Sequence, residues 1–138
     1  MPPVSGERQP AVSLLRVLVV DDDANVRHIL CAHLDRRGHK GVGVATMQEA
    51  LLVLTASHFD VLVTDVLLPD GDGIDLLNHV VSRQPPVRSV VVTGGGRYFG
   101  PEYFRRIGEA LGATVLQKPF EREAFLTAVE GRMTAVGA

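Results

Sequence analysis

Carboxylate, hydroxyl and amino side chains stand along the chain directly after short apolar runs. They are Asp21 and Asp22 after "RVLVV", Asp65 after "VLVT", Thr93 after "SVVV" and Lys118 after "TVLQ". Clustered carboxylates repel one another unless a cation neutralises them, and oxygen ligands with room for water suit Mg²⁺. An aspartate beside Mg²⁺ can attack phosphorus, because the metal orients the phosphoryl oxygens and screens their charge. The set therefore predicts Mg²⁺-assisted phosphoryl chemistry, provided that the fold brings these residues together.

Five apolar runs alternate with five segments of helical periodicity, which indicates a parallel sheet with helices on both faces. The predicted strands cover residues 16–20, 41–45, 61–64, 89–92 and 114–116. The predicted helices comprise an apolar stripe over 26–34, followed by 47–57, 74–82, 101–111 and 121–133. In such an open sheet, ligands bind beyond the carboxyl ends of the strands. The five residues above are therefore expected at one edge of the sheet.

Length and composition favour one compact domain. The chain has 138 residues, of which 46% are hydrophobic and 22% are charged. A formal net charge of -2 with scattered Lys and Arg argues against nucleic-acid binding, and the apolar runs are too short to span a membrane. The single cysteine and the lack of a signal-like segment before the first strand favour a cytoplasmic location. We expect flexible tails at 1–13 and 135–138, with the folded domain at 14–134.

Four motifs, in this order and at this spacing, resemble the receiver domain of two-component response regulators. They are "VLVVDDDANVR", "DVLVTDVLLPDGDG", "VVTGGG" and "LQKPF", and the resemblance extends over residues 16–133. It implies an α/β flavodoxin-like fold, with five helices around a doubly wound five-stranded parallel sheet of strand order 2-1-3-4-5. It also implies that an aspartate accepts a phosphoryl group from a phosphohistidine with the help of Mg²⁺.

The resemblance also implies a role for each matching position. Asp65 would be the phosphoacceptor, Asp21 and Asp22 the acidic metal ligands, Leu67 the donor of a backbone carbonyl to the metal, Thr93 the switch hydroxyl, and Lys118 the basic residue before a proline. The family usually holds that Lys-Pro bond in the cis form. The chain would not be an enzyme toward other substrates, since it would catalyse only its own phosphotransfer and dephosphorylation.

The implied partners are proteins. They are a sensor histidine kinase or a histidine phosphotransfer protein as the donor and a downstream protein target, and a homodimer linked to phosphorylation is possible. No nucleic acid or membrane partner is expected for this chain. The sequence leaves open whether the chain acts alone or is one domain of a larger regulator or hybrid kinase.

Several residues have simpler structural interpretations. Asp23 precedes a predicted helix and is interpreted as its N-cap. The histidines show no metal-ligand spacing and are predicted to be solvated or to lie on helix faces; they are His28, His33, His39, His58 and His79. Cys31 is interpreted as a small core residue.

The sequence departs from the family at two places. Val115 stands three residues before Lys118, where receivers commonly carry the Tyr or Phe that rotates inward on activation. Three consecutive glycines also follow Thr93, so the fourth helix is predicted to begin late, at Pro101. Phosphorylation is therefore expected to order or displace residues 94–103, with Tyr98 or Phe99 as the aromatic residue that changes its burial, rather than to move a ring at position 115.

Other functions fit parts of the pattern. A haloacid-dehalogenase-like phosphatase also places Asp at the end of its first strand, but Asn25 stands where that family needs Thr or Val. A flavodoxin would need a hydroxyl-rich loop where the chain has Asp21–Asp23, which would repel a phosphate. A degenerate receiver acting only as an interaction module is the third alternative, and the intact set of site residues argues against it.

Overall fold

The computed structural model of the chain describes residues 14–83, 85–94 and 101–131, without the side chains of Pro101, Phe104 and Ile107. The strands in these residues are β1 (Arg16–Val20), β2 (Lys40–Val44), β3 (Val61–Asp65), β4 (Leu67–Leu68), β5 (Gly71–Asp72), β6 (Arg88–Thr93) and β7 (Thr114–Gln117). The helices are α1 (Ala24–Arg36), α2 (Met47–Ala56), α3 (Gly73–Val80), α4 (Pro101–Ala110) and α5 (Arg122–Glu130). The predicted tails at 1–13 and 135–138 lie outside the described residues.

The main sheet is parallel, and its strand order is β2-β1-β3-β6-β7. Strands β4 and β5 form a separate two-stranded antiparallel hairpin. With that hairpin counted apart, the order is the predicted 2-1-3-4-5. From β1 the chain crosses to β2 on one side, and the next strand, β3, lies on the other side of β1. The strand order therefore reverses between β1 and β3. A ligand crevice is expected at that point, beyond the carboxyl ends of β1 and β3.

The central strands are buried on both faces, as their lack of polar alternation predicted. Val17 and Val19 of β1 point into a cluster formed with α1 and α5, which includes Leu34 and Phe125. The intervening Leu18 points into a second cluster on the opposite face, formed with residues of α2 and α3. The two layers of helices therefore fix the sheet, and only the ends of its strands are available for chemistry.

Helix α1 packs closely on β2. A Cβ atom at Gly41 would lie 3.1 Å from Leu34 and 3.2 Å from the sulfur of Cys31. Cys31 is half-buried against the core, as predicted, and burial raises the pKa of its thiol. The thiol is therefore held in its unreactive protonated form.

Several element bounds differ from the sequence-based prediction by one to three residues, and one pair of strands was not anticipated. The hairpin of β4 and β5 was not predicted. The first residue of β2 is Lys40 rather than Gly41. Helix α5 ends at Glu130, three residues before the predicted end, because Gly131 adopts the left-handed conformation with φ 70° and caps the helix.

Among the helices of the described ranges, none has both the length and the apolar character to cross a membrane.

A buried network joins the beginning of the sheet to the end of α5. The ring of His39 is fully buried; its Nδ1 accepts the backbone N–H of Leu15 at 3.1 Å, and its Nε2 lies 2.8 Å from the Glu130 carboxylate. Since Nδ1 is an acceptor, Nε2 carries the proton and donates it to Glu130. Arg37 donates to the same carboxylate at 3.0 and 3.3 Å. The prediction of a solvated or helix-face role is therefore wrong for His39, whereas the other four histidines are exposed or lie on a helix face.

This network generates a stability prediction. Glu130→Ala should lower the free energy of unfolding by about 3 kcal/mol, because it leaves His39 and Arg37 without their shared partner. Urea denaturation measures this change. Glu123→Ala is the matched control, since Glu123 also contacts Arg37, at 3.7 Å, but its side chain is 63% exposed against 1% for Glu130. Equal destabilisation by the two variants would contradict a special role for the buried network.

Candidate functional site

Three strand ends meet at the carboxyl edge of the sheet. The ammonium nitrogen of Lys118, directly after β7, lies 3.2 Å from Asp21 Oδ2 and 3.1 Å from Asp65 Oδ2. One nitrogen contacts both carboxylates, so Asp21 and Asp65 face each other across it. The side chains of Asp21, Asp65 and Lys118 are 3%, 15% and 29% exposed. They form a half-buried acidic pocket with an opening to solvent.

The hydrogen bonding of the sheet continues one residue beyond the strands and fixes where these side chains emerge. The Lys118 N–H donates to the Thr93 carbonyl at 2.7 Å, and the Asp21 N–H donates to the Val44 carbonyl at 3.1 Å. The bond between Lys118 and Pro119 is cis, as the family resemblance implied. Asp21 and Lys118 therefore leave the sheet from positions set by their neighbouring strands.

The three consecutive aspartates after β1 have different environments. Asp21 is buried and accepts the N–H of Asp23 on its Oδ1 at 2.9 Å. Asp22 is exposed beside the pocket. Asp23 caps α1 by accepting the N–H groups of Asn25 and Val26, which confirms its predicted structural role. The turn therefore contributes Asp21 and Asp22, but not Asp23, to the candidate site.

Hydrogen bonds hold both the backbone carbonyl and the side chain of Asp65. The Thr64 hydroxyl donates to the Asp65 carbonyl at 2.9 Å, and the Leu67 N–H donates to Asp65 Oδ1 at 3.1 Å. A Cβ atom at Gly73 would lie 2.1 Å from the Asp65 carbonyl oxygen, so any larger residue there would displace the loop. The sequence analysis missed both Thr64 and Gly73, although "DG" before a predicted helix was a visible turn signal.

The hairpin after Asp65 is anchored to α2. The Asp70 carboxylate accepts the N–H groups of Met47 and Gln48, at 2.8 and 3.0 Å. These bonds lower the pKa of Asp70. The loop that carries Leu67 is therefore connected to a helix end, as well as to the strand that carries Asp65.

The pocket is short of positive charge. Burial is the largest cause that raises the pKa of Asp65, and the charge of Asp21 raises it further. The hydrogen bond and charge of Lys118 and the N–H of Leu67 lower this pKa. The net effect is a raised pKa. For Lys118, burial lowers the pKa, but hydrogen bonds and charges from Asp65 and Asp21 outweigh burial, so the net pKa is raised. The ammonium therefore stays charged, yet it does not fully offset the cost of ionising Asp65.

These features bear on whether Mg²⁺ fits the residues present. Asp21, Asp22 and Asp65 supply carboxylate oxygens, Leu67 supplies a peptide carbonyl, and Mg²⁺ commonly keeps several waters as further ligands. Burial, and to a smaller extent the charge of Asp21, raise the pKa of Asp65, so a cation beside it would stabilise its carboxylate form. Within the described residues, however, no three Asp, Glu, His or Cys side chains already converge as a ligand set. The donor chemistry therefore fits Mg²⁺, while the exposed Asp22 would have to turn toward it.

Thr93 ends β6 and is buried beside the pocket. The next residue, Gly94, borders open space, since a Cβ atom there would meet nothing within 4 Å. This opening agrees with room for an incoming group. Residues 95–100 lie outside the described part of the chain, so the expected ordering of 94–103, including Tyr98 and Phe99, stays a prediction.

Val115 of β7 packs against α4. It contacts the cluster that contains Val66, Leu77 and Val91. A Cβ atom at Gly108 of α4 would lie only 2.2 Å from Val115 Cγ2. The helix therefore lies directly on the small side chain that replaces the usual aromatic residue.

Comparisons with known proteins agree with this geometry. The family pattern described as "Response regulator receiver domain" matches residues 17–130. The response regulator protein FleR of Pseudomonas aeruginosa is 34% identical over 114 residues, which are 83% of this chain. The chain spans 24% of the length of FleR.

Two solved structures share the fold. The beryllofluoride-activated NtrC4 receiver domain dimer superimposes with a TM-score of 0.74 at 32% identity, covering 84% of this chain and 93% of that one. A response regulator protein from Burkholderia pseudomallei, solved with a phosphorylated aspartic acid, a calcium ion and citrate, gives 0.73 at 28% identity, covering 83% of this chain and 65% of that one. The sequence match, the sheet order and the acidic strand ends agree, and the chain belongs to the response regulator receiver domain family.

Proposed function

We propose that this chain accepts a phosphoryl group on Asp65 from the phosphohistidine of a histidine kinase or histidine phosphotransfer protein. The observation that carries the proposal is the contact of the Lys118 ammonium with both Asp21 and Asp65. It places a carboxylate at the opening of the pocket, a fixed cation beside it and a second carboxylate opposite. Receiver domains are phosphoacceptors, and this arrangement supports the same role here.

The chemistry follows from these side chains. A carboxylate oxygen of Asp65 attacks phosphorus, and the P–N bond of phosphohistidine breaks with its electron pair remaining on that nitrogen; the other ring nitrogen carries a proton, so the donor leaves as neutral imidazole. The product is an acyl phosphate on Asp65. Lys118 would donate hydrogen bonds to the phosphoryl oxygens, and the Thr93 hydroxyl would donate another. Asp65 attacks in its carboxylate form, so this step itself releases no proton from it.

The proposed metal ligands are Asp21, Asp22 and Asp65 together with the backbone carbonyl of Leu67. Mg²⁺ held there would screen the charge of the phosphoryl oxygens and keep them in line for attack. The Burkholderia pseudomallei structure, which contains a phosphorylated aspartic acid and a calcium ion, supports both the acyl phosphate and a divalent cation.

The output is proposed to be protein contact. Residues 14–134 would form the signalling domain between the tails 1–13 and 135–138, in the cytoplasm, with no catalysis beyond its own phosphotransfer and dephosphorylation. The NtrC4 relative is an activated receiver dimer, which supports a phosphorylation-linked homodimer as one form of output. Family membership argues against the haloacid-dehalogenase and flavodoxin alternatives, and the degenerate receiver is separated by the first experiment below.

The first prediction concerns the acceptor. Incubation with Mg²⁺ and acetyl phosphate should add one phosphoryl group to the wild type, and Asp65→Asn should abolish this gain because the amide is a poor nucleophile. Intact mass spectrometry measures the addition. Asp75→Asn, which changes an exposed carboxylate in the first turn of α3, is the control and should behave as the wild type. Full phosphorylation of Asp65→Asn would falsify the assignment, and no uptake by the wild type would indicate a degenerate receiver.

A second prediction concerns the metal. Mg²⁺ should stabilise the domain by about 2.7 kcal/mol when its free concentration is 100 times its Kd, because it binds the folded state. Thermal melting with increasing Mg²⁺ measures the effect. Asp22→Ala should need more Mg²⁺ for the same rise in Tm, since a ligand is lost. A wild-type Tm that does not respond to Mg²⁺ would contradict the metal site.

A third prediction follows from the raised pKa of Asp65. Lys118→Met removes the hydrogen bond and the charge that lower this pKa, so the pKa of Asp65 should rise further. As the pH falls, Asp65 would then lose its carboxylate form at a higher pH than in the wild type. A ¹³C NMR titration of the carboxyl carbon in metal-free protein measures this shift, with Lys40→Met on β2 as the control. A lower pKa in Lys118→Met would contradict the charge balance described above.

A further inference from the structure

Arg27 contacts the acidic turn from α1 but carries none of the roles assigned above. Its Nη1 atom donates to the backbone carbonyl of Asp21 at 2.7 Å. The backbone N–H of Arg27 also donates to the Asp23 carbonyl at 3.0 Å. The side chain therefore reaches back across the whole turn from Asp21 to Asp23.

The Asp21 carbonyl lies where the regular pairing of the sheet ends. Asp21 is buried, and its N–H still pairs with β2 through Val44. A buried carbonyl needs a hydrogen-bond donor, and a guanidinium is a strong one. Arg27 supplies that donor where β1 gives way to the turn.

Strand β2 provides the space for this side chain. A Cβ atom at Gly43 would lie 3.3 Å from Cδ of Arg27 and 3.5 Å from its Cβ. The alkyl part of Arg27 therefore lies directly on the β2 backbone, and the guanidinium is carried to the end of β1. Packing on one side and a hydrogen bond on the other restrict the side chain to this position.

We propose that Arg27 is a positioning residue for the metal site, an inference that rests on the proposed function. The Asp21 carbonyl belongs to the peptide that joins Asp21 to Asp22. By holding this carbonyl, Arg27 fixes the plane of that peptide and so the direction in which the exposed Asp22 carboxylate leaves the chain. Groups that orient metal ligands commonly change metal affinity 10- to 100-fold when they are removed.

The charge of Arg27 and its orienting hydrogen bond predict opposite changes in Mg²⁺ affinity when the side chain is removed. A guanidinium close to a Mg²⁺ site repels the metal, so removing its charge alone would strengthen Mg²⁺ binding. Losing the fixed peptide plane would weaken binding, because Asp22 would have to be ordered when the metal arrives. The direction of the change in Mg²⁺ affinity therefore separates a positioning role from a merely electrostatic one.

The test is calorimetric titration of metal-free protein with Mg²⁺. Arg27→Met should raise the Kd for Mg²⁺ about tenfold. Phosphoryl uptake from acetyl phosphate should then need more Mg²⁺, yet reach a similar rate at saturation. Arg27→Lys keeps the positive charge but lacks the planar guanidinium, so its Kd for Mg²⁺ should lie between those of the wild type and Arg27→Met. Arg36→Met, in the last turn of the same helix, is the control and should bind Mg²⁺ as the wild type does.

A second readout needs no metal. Amide hydrogen exchange at Asp22 should be faster in metal-free Arg27→Met than in the wild type, because the peptide is no longer held. If Arg27→Met does not fold, Gly43→Ala should give the same loss of affinity by crowding the Arg27 stem. Unchanged or tighter Mg²⁺ binding would overturn the positioning role while leaving the proposed function intact. A wild type that binds no Mg²⁺ would overturn both.

Discussion

The contact of one ammonium group with two carboxylates is the interaction around which the carboxyl edge of this sheet is organised. Neighbouring strands lie about 4.8 Å apart, so β7 and β3 are separated by about 10 Å with β6 between them. Lys118 must pass over the end of β6 to reach Asp65 and Asp21. That path is set by the strand order, which places β6 between β3 and β7. The site is thus a product of strand order more than of any local motif.

Buried charges are compensated to different degrees at the two ends of the sheet. At one end, His39 and Arg37 share the Glu130 carboxylate, with Nε2 of His39 and Nε and Nη2 of Arg37 within 3.3 Å of its oxygens. At the other end, Asp65 has a raised pKa despite its contact with Lys118. A compensated network suits a structural joint, and an under-compensated pocket suits the binding of further positive charge. The degree of charge compensation therefore distinguishes the structural network around Glu130 from the pocket around Asp65 that is available for chemistry.

Sequence patterns predicted the sheet well because burial on both faces leaves a run of valines with no polar alternation. The candidate site followed from the same logic, since parallel strands bring their last residues to one edge. His39 was predicted wrongly because its burial depends on Glu130, 91 residues away, which periodicity does not detect. Arg27 was missed for a related reason, as its partner is a backbone carbonyl. The end of α5 could have been placed correctly, because Gly131 is a visible C-cap signal.

The close approach of Gly108 to Val115 constrains how this sequence can evolve. A side chain at position 108 would overlap Val115 Cγ2. A residue larger than glycine at position 108 is therefore tolerated only if the helix shifts or position 115 changes too. The two positions are therefore expected to covary among close descendants of this chain. Gly108 therefore sets how closely α4 can lie on β7, and position 115 is constrained through that helix.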